Sequence, residues 1–308
     1  MTAPPQPNYV LTCRDGELAA SLRSWLDGSR LVWPGTLHLD VDVIDELAQD
    51  GDSREVFPQA DLLIQAGPPD GTVRVRWQPS FAEAIVHATE PRATIRMTRE
   101  AITHGEAAER GFLLVTLLFM LRRVGWYHVH CAAMIDPRGR GWLFVGHSCS
   151  GKSTTSALLA RQGWSVSTDD IAFLSDDGVT VGVEGFWSPI ALREGGRTLL
   201  GTPGGIELSR RAKTGFRPEE LGGHWIPRVT PEIVLFPSIG DSTSVAPISP
   251  RDAIKRLIES SIWVLFETVH AQEHLDLLAR VATQARAFDA TLGPDLFLDP
   301  DLFQDLVQ

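Results

Sequence analysis

Several features that mark large classes of protein are scarce in this sequence. Only three of its 308 residues are cysteines. Cys13, Cys131 and Cys149 have no CxxC spacing, and this usage fits a reduced cytosol. The most apolar run, 112–121, is far shorter than the roughly 20 residues that a membrane-spanning helix needs. The formal net charge of −11 argues against the concentrated basic surface that nucleic acids require.

Targeting signals and repeats are also missing. Residues 1–9 are polar and proline-rich, with neither the charged head nor the apolar core of a secretory signal. The sequence contains no internal repeat, low-complexity tract or long linker. We therefore expect a cytoplasmic protein of one large or two medium domains, with no membrane or nucleic-acid partner.

A phosphate-binding loop is the most specific motif present. Residues 146–153 read G-H-S-C-S-G-K-S, an uninterrupted match to G-x-x-x-x-G-K-[ST]. The apolar run 142–145 precedes the loop and a helix-like stretch, 153–161, follows it, as the motif requires. Glycines let successive N–H groups point at phosphate oxygens, and the helix adds its positive N-terminal end. The alternative, a chance glycine-rich turn, does not explain both flanks.

The motif predicts the residues that hold ATP. These are Gly146, His147, Ser148, Cys149, Ser150, Gly151, Lys152, Ser153 and Thr154. Lys152 would reach the terminal phosphates, and the hydroxyl of Ser153 would bind a Mg²⁺ ion that arrives with the nucleotide. Cys149 is expected to be an inert small side chain rather than a redox-sensitive thiol.

A histidine is expected near this loop. Residues 131–136 and 141–145 are strand-like and are joined by a short turn that favours a hairpin. If Asp136 pairs with Gly141, His130 lies opposite His147 at the mouth of the loop. His130 could then orient a catalytic carboxylate or shuttle a proton. The alternative is a half-buried histidine whose ring nitrogens are satisfied by the backbone.

Two adjacent carboxylates follow the next predicted strand, 164–168. A strand, a helix and a second strand form a right-handed crossover, so both strands end at the same edge of the sheet, where ligands bind. Asp169 and Asp170 are therefore expected beside the phosphates. In one division of tasks Asp170 holds magnesium with Ser153, and Asp169 accepts the proton of the acceptor hydroxyl. A helix cap or loop turn is the structural alternative.

Positive side chains downstream could clamp phosphates or substrate. Arg193 is the preferred candidate, with Arg197 and the loop 210–213 as further ones, and solvated surface charge is the alternative for each. The glycine-rich stretches 195–205 and 215–223 are typical of mobile loops over a site. Surface loops without a function would have the same composition.

The pattern of elements predicts two domains. Residues 1–99 carry strand-like pieces at 9–13, 36–43, 60–64, 72–77 and 93–97 and a helical stretch at 16–26. They form a small α+β domain, for which substrate recognition is a hypothesis. A helix at about 100–124 then opens an α/β P-loop catalytic domain, 100–308, with later helices at 251–264 and 272–288.

The stretch 130–171 resembles HPr kinase and its relatives, serine kinases whose catalytic domain is related in fold to phosphoenolpyruvate carboxykinase. The likeness rests on His130 opening a hairpin, on the loop 146–153, and on Arg161-Gln162-Gly163 followed closely by Asp169-Asp170. The resemblance implies that His130 and both acids act with Lys152 and Ser153. It also implies that Asp169 is the proton acceptor and that Asp170 lies near the metal. HPr kinases form hexamers, which leaves a homo-oligomer open.

One segment departs from the HPr kinases themselves. They carry a Leu/Ile-Glu-Ile-Arg-Gly-Leu-Gly stretch after the paired acids, whereas residues 185–193 here read G-F-W-S-P-I-A-L-R. This segment is similar to the Pro-Ile-Ser-Leu-Lys element of HPr-kinase-related proteins in peptide-tailoring gene clusters. Some of these phosphorylate a serine at the C-terminus of a lasso-peptide precursor. The resemblance thus implies a peptide or small protein substrate that bears a serine.

Three functions remain open at this point. The first is an ATP- and Mg²⁺-dependent kinase of a peptide serine, and the second is a kinase of a small hydroxyl-bearing metabolite. The third is a switch or scaffold that binds ATP without transferring phosphate. The sequence has no Asn/Thr-Lys-x-Asp motif for guanine and no Leu-Ser-Gly-Gly-Gln signature, which disfavours GTPase and transporter-ATPase roles.

Overall fold

The chain forms two compact units. The structure, a computed structural model, describes residues 7–47, 62–66, 71–77, 81–104, 109–208, 213–299, 302–303 and 307. One unit comprises Met1–Tyr127 with Trp263–His274, and the other comprises His128–Ile262 with Leu275–Gln308. Within the described ranges, no helix combines the length and the apolar character needed to cross a membrane.

A six-stranded sheet forms the centre of the first unit. Its strands are β1 (Tyr9–Cys13), β2 (Leu37–Ile44), β3 (Leu62–Ala66), β4 (Val73–Trp77), β5 (Ala82–Val86) and β6 (Arg92–Thr98), in the spatial order β1-β2-β6-β5-β4-β3. Strands β1, β2 and β6 are parallel, and β3 to β6 are antiparallel. Strand β5 was not predicted, because two alanines and a glutamate give it a low strand preference. Its pairing with both β4 and β6 compensates.

Helices complete the first unit. They are α1 (Gly16–Gly28), α2 (Arg99–Thr103) and α3 (Leu114–Arg122), and a π-helical turn at Glu109–Leu113 precedes α3. The side chain of Asp15 caps α1 by accepting the N–H of Leu18 at 3.0 Å. The helix predicted at 100–124 is thus divided, with 105–108 outside the described residues.

The domain boundary differs from the one expected at Arg99. Helix α3 is buried on nearly all sides and packs on β4, β5 and β6. A helix that is apolar all round needs such cover, so it belongs with the first unit. The buried guanidinium of Arg122 also bonds Glu267 at 2.8 Å, which ties Trp263–His274 into the same unit.

The second unit is built on a ten-stranded mixed sheet. Its strands are β7 (Tyr127–Ile135), β8 (Gly141–Val145), β9 (Ser165–Thr168), β10 (Ile171–Asp176), β11 (Val181–Gly185), β15 (His224–Trp225), β16 (Arg228–Val229), β17 (Pro231–Ile239), β18 (Ser244–Pro247) and β19 (Arg286–Leu292). The main order is β16-β11-β10-β7-β8-β17-β19-β18, and β9 pairs with β7 and β15. A separate three-stranded sheet has the order β12 (Ile190–Arg193), β14 (Lys213–Phe216), β13 (Ile206–Leu208).

The helices of this unit are α4 (Lys152–Arg161), α5 (Glu194–Leu200), α6 (Pro250–Glu259) and α7 (Ala271–Gln284), the last of which begins in the first unit. The predicted helix 251–264 ends earlier than expected, at Glu259. The helix predicted at 272–288 also ends earlier, at Gln284, because residues from Arg286 onward form β19 parallel to β17. Tertiary pairing therefore overrides the helical pattern there.

The predicted crossover is present. Strands β8 and β9 are each antiparallel to β7 and so are parallel to one another, and α4 connects them. Helix α4 packs its apolar side on Trp142, Phe144 and Trp164 in one buried cluster. This packing fixes the start of α4 at the edge where β8 and β9 end.

Candidate active site

The phosphate loop leaves β8 and enters α4 as its sequence predicts. Gly151 caps α4 with φ +94°, a left-handed conformation that glycine adopts without strain. Cys149 also has a positive φ, +70°, which is uncommon for a residue with a side chain. The first N–H groups of a helix lack intrahelical partners, so the start of α4 is suited to bind an anion.

Lys152 lies across its own loop. The side chain is only 6 % exposed, and Nζ donates to the carbonyl oxygens of Gly146 and His147 at 2.5 and 2.8 Å. Burial lowers the pKa of Lys152, while Asp169 and Asp170 act in the opposite direction. A phosphate in the loop would compete with the two carbonyls for this ammonium group.

The hairpin register corrects the prediction for His130 by one residue. Ile135, not Asp136, pairs with Gly141, and Cys131 pairs with Val145, so His130 aligns with Gly146 rather than His147. The reason is local. The carboxylate of Asp136 accepts the N–H groups of Arg138 and Arg140, each at 2.9 Å, and so Asp136 belongs to the turn.

Asp169 is the buried member of the acidic pair. It is 4 % exposed, and its Oδ2 accepts the N–H of Ala191 at 3.4 Å. Within the described part of the chain, its Oδ1 has no well-formed hydrogen bond. Burial raises the pKa of Asp169 to about 6, against the effect of the nearby hydroxyls of Ser153 and Ser156. The carboxylate therefore faces the start of α4.

Asp170 is the accessible member. Its side chain is 58 % exposed, and its Oδ1 lies 2.8 Å from Nδ1 of His130. Partial burial raises the pKa of Asp170, but the hydrogen bond and charge of His130, with Lys213 and Lys152, outweigh this and lower it. His130 and Asp170 thus form a pair at the open side of the site.

A second histidine lies deeper on β7. His128 is buried, with its ring 6.2 Å from that of Phe173 in an edge-on arrangement. Burial lowers the pKa of His128 to about 3. His128 is therefore neutral at physiological pH, and its role differs from that of His130.

Arg193 and Lys213, two positively charged residues of the three-stranded sheet, differ in their relation to the site. Arg193 is exposed at the end of β12, and its side chain forms no hydrogen bond or ion pair with Lys152, Asp169 or Asp170 among the described residues. Lys213 pairs with it across the strands and is close enough to alter the pKa values of Lys152 and Asp170. Arg193 as a catalytic residue stays a prediction, and residues 209–212 lie outside the described residues.

The residues present fit a magnesium ion. Mg²⁺ prefers oxygen ligands and is commonly bound by one or two carboxylates together with substrate phosphates. Asp169 is buried, and the hydroxyls of Ser153 and Ser156 lie beside its carboxylate. No cluster of three histidine, cysteine or acidic side chains suited to a metal occurs in the described ranges, so the ion would rely on Ser153, a carboxylate and the nucleotide.

Some neighbours of the site were not predicted from sequence. Ser156 is fully buried beside Asp169, and its spacing of three from Ser153 on a helix would have indicated a shared face. The N–H of Ala191 has no such signal, because it reaches Asp169 from 22 residues away in sequence. Lys213 belongs to the loop 210–213, which the sequence offers as a further candidate for binding phosphates or substrate, with solvated surface charge as the alternative.

Comparison with known proteins gives limited information. No known protein-family model matches the chain, and no curated protein matches it. Among solved structures, the Hpr(Ser) kinase/phosphatase from Coxiella burnetii matches 58 % of this chain and 93 % of its own, with 12 % sequence identity and a TM-score of 0.31. Because a TM-score this low does not establish a shared fold, the function has to be judged from the site's own residues.

Proposed function

We propose that this chain is an ATP-dependent phosphotransferase, related to HPr kinase, that transfers the terminal phosphoryl group of ATP to a hydroxyl. The observation that carries the proposal is a convergence at one sheet edge. A phosphate loop meets the buried Asp169 and the pair formed by His130 and Asp170, whose Nδ1 and Oδ1 atoms are 2.8 Å apart. Phosphoryl transfer requires charge neutralisation, positioning and a proton acceptor, and this edge supplies a group for each.

The chain's own groups have distinct tasks in this reaction. The N–H groups of the loop and of the start of α4 bind the phosphates, and Lys152 moves from its loop carbonyls to the terminal phosphates. Mg²⁺, bound with ATP, would be held by Ser153 and one carboxylate and supplies neutralisation of phosphate charge. The other carboxylate accepts the proton from the acceptor hydroxyl. That oxygen bonds to the γ-phosphorus while the bond to the leaving ADP oxygen breaks.

A serine-bearing peptide is the proposed acceptor, with the C-terminal serine of a lasso-peptide precursor as the specific case. The segment 185–193 carries the similarity to kinases of peptide-tailoring clusters, and its Ala191 donates an N–H to Asp169. This contact supports a peptide over a small metabolite, because the segment most distinct from HPr kinases adjoins the reacting groups. A cytoplasmic homo-oligomer remains part of the proposal.

Transfer can be tested directly by mass spectrometry. The protein is incubated with ATP, Mg²⁺ and candidate acceptors, both serine peptides and small hydroxyl compounds. The proposal expects a peptide that gains one phosphate, and loss of this product in Asp169→Asn. A phosphorylated metabolite without phosphopeptide would favour the second hypothesis. Tight ATP binding with no modified acceptor would favour a non-catalytic switch and overturn the proposal.

A further inference from the structure

A cavity of the first unit lies between the start of α1 and the start of α2. We infer that this cavity docks the peptide substrate, taking an apolar side chain that has a lysine or arginine beside it. The inference rests on the proposed function, because it gives the peptide of that reaction a second binding site on the same chain.

The topology of the first unit places the cavity where α/β sheets bind ligands. Strands β1, β2 and β6 are parallel neighbours, and α1 connects β1 to β2. Helix α1 begins soon after β1 ends, and α2 begins directly after β6 ends. In sheets of this kind the crevice at the carboxyl ends of the parallel strands is the usual ligand site. The cavity is located at that edge.

The interior of the cavity is apolar. Its volume is about 470 Å³, within the range of roughly 300–1,000 Å³ that is typical of ligand sites. Leu18, Leu22, Met97 and Leu113 line it, and none of them is more than 6 % exposed. A leucine-sized side chain placed there leaves water without displacing a polar group, which strengthens binding by about tenfold or more.

The α1 side of the rim is acidic. Asp15 caps α1 by accepting the N–H of Leu18 at 3.0 Å, and Glu17 lies in the first turn. Both residues line the cavity. Their carboxylates offset the positive end of the helix, so this helix start does not favour an anion. It favours a cationic group of the ligand instead.

The opposite side of the rim carries a positive charge. Arg99, at the start of α2, is exposed and lines the cavity. It repels a second cation, so the lysine or arginine of the ligand is expected on the side of Glu17. The exposed side chains of Ser21 and Thr103 complete the rim. Because this rim is open to solvent, one side chain can enter while the backbone of a longer peptide passes across it.

Binding is tested with short peptides of defined charge. The probe is fluorescein-labelled Gly-Lys-Leu-Lys-Gly, followed by fluorescence anisotropy with the full chain and without ATP, and unlabelled peptides compete with it. We expect competition by the unlabelled form of the same peptide. Gly-Lys-Ser-Lys-Gly should compete at least about tenfold more weakly, because it lacks the apolar side chain. Gly-Glu-Leu-Glu-Gly should also be weaker, because its charges oppose those of the α1 rim.

Two pairs of variants locate the binding site. Ser21→Trp fills the mouth of the cavity and should weaken binding by at least about tenfold. Ser24→Trp is its control, at an exposed position of the same helix that does not line the cavity. Glu17→Gln should weaken binding about two- to fivefold at low salt, whereas Arg99→Gln should not weaken it. Circular dichroism and thermal unfolding confirm that each variant is folded.

Three results would overturn the inference. One is an equal effect of Ser21→Trp and Ser24→Trp, which would show that the peptide binds elsewhere. Another is weakening by Arg99→Gln without weakening by Glu17→Gln, which would indicate an anionic ligand. The third is competition by leucine amide that equals competition by the peptide, which would indicate a site for a small amine and not for a peptide.

Phosphoryl transfer separates this inference from the proposed function. A serine peptide extended by Lys-Leu-Lys should have a KM at least about tenfold lower than the same peptide extended by Gly-Ser-Gly, and Ser21→Trp should remove this difference without changing the KM for ATP. Equal KM values for both extended peptides would refute the docking site and leave the proposed function intact. If the Lys-Leu-Lys probe binds at the cavity but no acceptor is phosphorylated, the proposed function fails while the peptide preference of the cavity stands.

Discussion

Nδ1 of His130 lies 2.8 Å from Oδ1 of Asp170, so the first half of β7 and the turn after β9 meet at one hydrogen bond. The bond depends on the antiparallel pairing of β7 with β9. Through this bond His130, which is distant in sequence, holds the exposed carboxylate of Asp170 in place.

Replacing His130 should impair turnover more than substrate binding. His130→Ala leaves Asp170 without its partner, so we expect kcat to fall by about 10²-fold with little change in the KM for ATP. His130→Asn, which retains a donor, should recover part of the rate. Steady-state kinetics with both substrates check this. Equal losses in kcat and in nucleotide affinity would show that His130 supports the fold of the loop instead.

Lys152 should not tolerate arginine. The ammonium group fits among two loop carbonyls in a site that is 6 % exposed, and a planar guanidinium is bulkier and bonds in a fixed fork. We expect Lys152→Arg and Lys152→Met to lose phosphoryl transfer to a similar extent, by about 10²-fold or more. Retention of substantial activity in Lys152→Arg would mean that only the positive charge matters.

Substitutions of Lys213 and of Arg193 should differ in their effects on nucleotide binding. Lys213 acts electrostatically on Lys152 and Asp170, so Lys213→Gln should weaken nucleotide binding about fivefold at low salt, and less as salt screens the charge. Arg193→Gln, its neighbour across the strands, should leave nucleotide binding within about twofold. Titration with a fluorescent ATP analogue at two salt concentrations distinguishes them. The opposite ranking would restore Arg193 as the main phosphate-binding cation.

We expect ATP binding to depend on the backbone conformation at Cys149 and not on its sulfur atom. Its φ of +70° strains β-branched residues most. Cys149→Ala should therefore keep ATP affinity, and Cys149→Gly should keep or improve it. Cys149→Val should weaken it, with a strain cost of about 1–3 kcal/mol. Isothermal titration calorimetry tests the series, and loss of binding in Cys149→Ala would instead give the thiol a direct role.

His128 should make stability depend on pH. Burial lowers its pKa to about 3 from the ordinary histidine value of about 6.5, so between these two pH values the unfolded chain binds a proton at this group that the folded chain does not. Its contribution is present above pH 6.5 and is lost as the pH falls toward 3. We expect His128→Phe, which keeps the aromatic contact with Phe173, to show a flatter fall in unfolding free energy over this range. Urea denaturation at a series of pH values measures it, and identical slopes would contradict the account.

Local patterns predicted much of the site because its parts are local. The loop 146–153, the hairpin before it and the acids after β9 each follow from short motifs and from crossover geometry. The register of the hairpin did not, since it depends on the carboxylate of Asp136 taking the turn N–H groups. The relation between Asp169 and Asp170 depends on a contact from Ala191. No local pattern indicates which of two adjacent acids such a contact will cover.

The domain boundary also depends on long-range contacts, so local sequence patterns did not predict it. Helix α3 has an apolar sequence that would suit either unit, and its place on β4 to β6 is set by packing. The segment Trp263–His274 joins the first unit through Arg122 and Glu267, two residues far apart in sequence. Long-range ion pairs of this kind leave no periodic signal.

Transfer of the γ-phosphoryl group of ATP to a peptide serine is the most direct test of the central claim. The full chain is incubated with Mg²⁺, γ-³²P-labelled ATP and a serine peptide, in parallel with the same peptide carrying alanine in place of the serine. The account predicts label on the serine peptide alone, and loss of that label in Asp170→Asn. Tight binding of ATP without label on the peptide or on any small hydroxyl compound would contradict it.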